Sequence, residues 1–89
     1  MTEFRLKPTN EFEKSLKKMT AKEQKQIANK LNLLKQNPFH PSLRTKKVRG
    51  LDGVFEMSVN MDIRILWKYE GRIILILIDV GHHQDVLGV

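Results

Sequence analysis

The groups in this chain that can do chemistry are few: the histidines His40, His82 and His83, a set of arginines and lysines, and isolated carboxylates. Cysteine is absent, which excludes disulfides and thiolate metal sites. No glycine-rich phosphate loop occurs, no Ser-His-Asp order around a nucleophile elbow, and no carboxylate cluster suited to two metals. His82 and His83 are adjacent, whereas metal-binding pairs on a helix sit four apart, so neither a metal site nor a cofactor is expected. The metal-free repertoire that remains suits RNA cleavage by the ribose 2′-hydroxyl. That reaction needs a base, an acid and fixed positive charge on the pentacovalent phosphate. Imidazole serves as either acid or base near neutral pH, and Arg64, Lys46, Lys47 and Arg49 can supply the charge. Each also has a structural reading. Arg64 can pair with Asp79 or Glu56, the lysines can solvate an edge strand, and Asp62 can be a turn former. On residue types alone, polyanion binding is the larger expectation and catalysis the smaller.

Charge distribution points the same way. The 89 residues carry a net +6, but residues 1–50 hold 13 Lys and Arg against 4 Asp and Glu, while residues 51–89 hold 3 against 6. The first part is thus +9 and the second −3. A basic half attracts phosphate backbones through counterion release, and acidic proteins as well. The lysines from Lys14 to Lys35 fit a solvated helix surface equally well. The start, Met1 to Lys7, alternates charge and apolarity instead of forming a signal-peptide core, and the apolar run Ile73 to Ile78 is too short to cross a bilayer. A cytoplasmic protein without a membrane partner is expected, as one domain spanning residues 1–89.

Periodicity supplies the elements. Glu3 to Lys7 alternates with period two and stops at Pro8, a first strand. Asn10 with Glu13, and Thr20 with Glu23, have capping-box spacing and open two helices. Phe12, Leu16 and Met19 form the stripe of the first; Ile27, Leu31 and Leu34, widened by Ala28, form that of the second, which ends at Asn37-Pro38. After a loop, Lys46 to Arg49 reads as a short basic strand. Val54 to Val59, Ile63 to Tyr69 and Arg72 to Val80 read as a meander with turns near Asn60-Met61 and Glu70-Gly71. Phe55, Met57, Val59, Ile63, Ile65, Trp67, Ile74, Ile76 and Ile78 fall on the helix-facing side if the first hairpin uses an odd loop. Ser58, Arg64, Leu66, Lys68, Ile73, Leu75, Leu77 and Asp79 then share the other side, where the leucines make an apolar patch for a partner protein to cover. The expected fold is α+β: a helical hairpin on one face of a twisted four- to five-stranded, mainly antiparallel sheet. His82 is expected in a turn, His40 facing solvent, and Trp67 in the core.

The order of these elements resembles the RelE/ParE superfamily of bacterial toxins over nearly the whole chain. The resemblance is most specific in Lys47 to Leu51, Val54 to Asn60, Met61 to Trp67 and Asp79 to Leu87. The closing stretch is similar to the YafQ-like branch. What this resemblance implies is a toxin of a type II toxin–antitoxin system that cuts mRNA on the ribosome without metal and is silenced by a cognate antitoxin. On it, His83 matches the branch's C-terminal catalytic histidine, Asp62 the aspartate that opens the penultimate strand, and Arg64 the strand arginine that binds phosphate. Lys46, Lys47 and Arg49 match a basic RNA-contacting segment, and Leu87 stands where an aromatic usually stacks on the message. Ser58 stands where relatives carry arginine or histidine, and Lys46 to Arg49 lacks the branch's histidine. These departures leave two other expectations open: a ParE-like gyrase inhibitor, and an inactive module that binds antitoxin or RNA.

Overall fold

A computed structural model of the chain describes residues 3–83, so Leu87 lies outside the described residues. The first strand, β1 (Arg5–Pro8), leads into helices α1 (Asn10–Lys17) and α2 (Ala21–Gln36). A 3-10 turn (Pro41–Leu43) and a two-residue strand β2 (Lys46–Lys47) follow. The strands β3 (Val54–Ser58), β4 (Ile63–Glu70) and β5 (Ile74–His82) then form the meander. The sheet order is β1-β5-β4-β3-β2, with β1 parallel to β5 and every other pair antiparallel. Among the described residues no helix is long and apolar enough to cross a membrane.

Local chemistry explains the helix starts. Thr20 and Glu23 form the reciprocal capping box of α2, each side chain accepting from the other's amide, at 3.1 and 2.8 Å. The first helix is capped one residue earlier than the spacing suggests, by Thr9 and not Asn10, because Thr9 has a second task. Its Oγ1 accepts from the Phe12 amide and shares its proton between the carbonyls of Leu77 and Ile78, at 3.0 and 2.9 Å. Those carbonyls lie where β1 ends, so one hydroxyl fixes α1 onto β5 and satisfies sheet acceptors there.

The core joins Phe12 of α1 and Ile27 and Leu34 of α2 to Leu43, Met57, Val59, Ile63, Ile65, Trp67, Leu75, Leu77 and Val80. The β4–β5 loop is one residue longer than strands over Ile63 to Tyr69 and Arg72 to Val80 imply. Glu70 pairs with Ile74, which leaves a three-residue loop, Gly71 to Ile73, with Gly71 at φ 67°. A shift of one residue exchanges the faces of a strand. Leu75 and Leu77 therefore enter the core opposite Tyr69 and Trp67, while Ile74 and Ile76 stand half-buried on the outer side, opposite Glu70 and Lys68. Ile78 is skipped in the pairing, a bulge that returns Val80 to the core. Of the four residues expected in the open patch, Leu66 is 8% exposed, Leu75 and Leu77 are buried, and only Ile73, at 44%, is exposed. Ala28 faces solvent and does not widen the stripe of α2.

Candidate nucleic-acid interface

Arg64, Asp62 and His83 come together at one end of β4 and β5. Arg64 is the second residue of β4, paired with Ser58 on one side and Gly81 on the other. Just ahead of it, the β3–β4 turn is built by Asn60, whose Oδ1 accepts from the amides of Asp62 and Ile63, both at 2.8 Å. The Arg64 guanidinium closes the same turn, with Nη1 donating to the Asn60 carbonyl at 2.7 Å and the Ile63 carbonyl at 3.2 Å. Arg64 thus pairs with neither Asp79 nor Glu56. Asp79 accepts from Ser15 Oγ at 2.6 Å, and Glu56 binds Lys46. Past the end of β5, the amide of His83 donates to the carbonyl of Asp62, so the two residues are joined through their backbones. Asp62 is exposed and His83 half-buried.

His82 is a strand residue and not part of a turn. It pairs with Ile63, and its Nε2 lies 3.5 Å from Glu23 Oε2 of α2. The Glu23 carboxyl is held below its usual range, first by the hydrogen bond from the Thr20 amide and to a smaller extent by His82. His40 Nδ1 accepts from the Ser42 amide at 3.1 Å, capping the 3-10 turn, and the residue is half-buried.

The basic segment does not present its charges on one face. Lys46 pairs with Glu56 and Lys47 with Phe55, so their side chains leave on opposite faces, and Arg49 lies beyond the strand in an exposed turn. Lys46 is committed as well. Its Nζ is 3.1 Å from Oε1 of Glu56, whose side chain is only 6% exposed and whose Oε2 has no hydrogen-bond partner among the described residues. Taking away Lys46 strands a buried charge. Lys46→Ala should therefore cost about 1–3 kcal/mol in urea unfolding, against about 0.5 kcal/mol or less for Lys47→Ala. Adding Glu56→Gln should recover most of the loss, and equal losses for the two lysines would show that Glu56 needs no counter-charge.

Sequence reasoning missed a slot beside this corner. A cavity of about 300 Å³ opens at the edge of β3, lined by Lys30, Ser42, Arg44, Ser58, Val59, Asn60, Met61 and Arg64. Among the described residues no three His, Asp or Glu side chains gather as a metal-ligand set.

No family model matches the chain, and no curated protein does. Solved structures do. Over 93% of this chain and 94% of the other, it superposes on the toxin–antitoxin complex RelBE2 from Mycobacterium tuberculosis with a TM-score of 0.78 at 17% identity. The DinJ-YafQ toxin–antitoxin complex of E. coli matches with a TM-score of 0.79 at 15% identity, over 97% and 99% of the two chains. The fold is that of the RelE/ParE-like toxins. A YoeB/ParE toxin from Agrobacterium tumefaciens shares it too, with a TM-score of 0.77 at 16% identity over 90% and 99%. On this toxin fold, the Asp62–Arg64–His83 corner lies at the far end of β4 from the hairpin tip, where the chain leaves the sheet after His82.

Proposed function

We propose that this chain is the toxin of a type II toxin–antitoxin pair, a metal-free endoribonuclease that cuts mRNA on the ribosome and is held inactive by a cognate antitoxin. The observation that carries the reading is the convergence of Asp62, Arg64 and His83 on a fold shared with RelE, YafQ and YoeB structures. The matched structures include toxin–antitoxin complexes, which supports the partner. In the proposed reaction the ribose 2′-oxygen attacks the adjacent phosphorus as its proton is removed. The bond from phosphorus to the 5′-oxygen breaks as that oxygen takes up a proton, leaving a 2′,3′-cyclic phosphate and a 5′-hydroxyl. His83 moves protons, and Asp62, fixed beside it, orients or shares one. Arg64 places positive charge against the phosphate oxygens.

The Arg64 guanidinium is held through Nη1 by the Asn60 and Ile63 carbonyls, so its charge is positioned before substrate arrives. Arg64→Ala should lower the single-turnover cleavage rate by about 10²–10³, with Arg64→Lys recovering part of it because charge remains while the planar fork is lost. Equal rates in all three proteins would remove Arg64 from the chemistry. The test of the whole reading is a translation reaction on a defined message, with the message's ends mapped. Cuts that require ribosomes are expected. An intact message beside inhibited DNA supercoiling would mean a gyrase inhibitor, and an intact message with neither effect an inactive binding module.

A further inference from the structure

The slot at the β3 edge gathers more positive charge than the Asp62–His83 corner employs. Lys30 comes from α2, Arg44 from the residue that ends the 3-10 turn and Arg64 from β4, with the hydroxyl residues Ser42 and Ser58 on the same lining; among the described residues no carboxylate lines it. None of the three cations has an ion-pair partner among the described residues. The Arg64 charge is fixed directly, and the other two extend from fixed backbone positions. Arg64 is tied to the turn carbonyls. Arg44 sits at φ 51°, a left-handed conformation that glycine adopts more readily, with its amide donating to Pro41 at 3.2 Å. Lys30 is one helical turn beyond Gln26, whose Oε1 accepts from Asn60 Nδ2 at 2.9 Å, so α2 is registered against the β3–β4 turn. Like charges held in one cavity repel each other unless an anion joins them. Backbone strain of the kind found at Arg44 concentrates where ligands are bound. Met61 stands on the same lining and is 90% exposed, an apolar side chain left open to a ligand.

We propose that this slot binds one nucleotide of single-stranded RNA next to the bond being cut, its phosphate among Lys30, Arg44 and Arg64 and its base against Met61. The choice of RNA rests on the endoribonuclease reading, whereas the binding itself needs no cleavage. A phosphate offers several oxygens to several cations at once and suits the guanidinium fork. An acidic peptide would use the charge but not the apolar neighbour.

The experiment is fluorescence anisotropy of a labelled single-stranded oligoribonucleotide, without ribosomes, across a salt series. Lys30→Gln and Arg44→Gln should each reduce the slope of log affinity against log salt by about 0.7, and the double variant by about 1.4. Met61→Ala should weaken binding at unchanged slope. Arg44→Gly separates binding from folding: relieved of strain, it should unfold no earlier than the parent while losing RNA affinity like Arg44→Gln. Lys25→Gln, on the exposed surface of α2 outside the slot, should have less effect than any of these. Equal effects from Lys25→Gln, or no measurable RNA binding by the unaltered protein, overturn the proposal. So does a slot variant that keeps its RNA slope but loses binding to polyglutamate, which would make the slot an acidic-peptide site. If RNA binding follows the slot while no cleavage is found on ribosomes, the slot stands and the endoribonuclease reading falls.

Discussion

His83→Ala should lower ribosome-dependent message cleavage by about 10²–10⁴, the range that a positioned proton-transfer group contributes, while the protein stays folded. The second half of that expectation follows from the geometry. What His83 gives the fold is its backbone amide, which donates to the Asp62 carbonyl, and alanine keeps that donor. Its neighbour is the internal control. His82 reaches α2 and Glu23 at 3.5 Å, so His82→Ala removes a structural contact and should leave cleavage nearly intact. The hydrogen bonds that depress the Glu23 carboxyl belong to the Thr20 cap, so their stabilisation is present above the usual carboxylate range. It is lost as pH falls through the lowered value in the folded protein, with or without His82. The readout is end-mapped message together with circular dichroism on both variants. Full cleavage by His83→Ala would move the chemistry off the histidine. Equal loss in both variants would mean that the end of β5 matters for shape and not for proton transfer.

The helices and strands were legible because their signals are local. Thr20 and Glu23 announce α2 by spacing alone, and Ile27 and Leu34 are buried as their period requires. The faces of β5 were not legible, because they depend on whether the hairpin loop has two residues or three, and Gly71 permits either. One residue of difference emptied the outer face of Leu75 and Leu77 and removed the basis for a patch awaiting a partner. The corner was partly legible, since Asp62 and Arg64 lie two apart in sequence, but their link to His83 is a backbone hydrogen bond that side-chain identities do not encode. The slot was illegible for a different reason. Nothing distinguishes Lys30 from Lys22, Lys25 or Lys35 until α2 is registered against the β3–β4 turn through Gln26 and Asn60. A left-handed Arg44 leaves no mark in the sequence, and Asn60, two residues before Asp62, was the one usable signal for the turn's geometry.

Trp67→Ala should cost about 3–5 kcal/mol, the range for truncating a large buried aromatic. That is a large share of the ~5–15 kcal/mol that holds an ordinary domain together. Trp67 is fully buried at the centre of an aromatic group: Phe55 stacks on it at 4.7 Å and 19°, while Tyr69 and Phe39 meet it edge-on at 5.1 and 6.2 Å. Truncation removes contacts from all three at once, and β4 cannot collapse into the gap without breaking its pairing to both neighbours. Trp67→Phe should behave very differently. The indole Nε1 is buried with no hydrogen-bond partner among the described residues, a condition that costs about 1–3 kcal/mol. Phenylalanine removes that donor along with some packing, so the two effects offset and a net loss near 1 kcal/mol or below is expected. Urea midpoints of the two variants decide it, and equal losses would show that the indole nitrogen carries no penalty. Cleavage by Trp67→Phe at the parental rate would also separate stability from chemistry. Trp67 acts through β4, the strand on which Arg64 is positioned, and its ring is buried among Phe39, Phe55 and Tyr69.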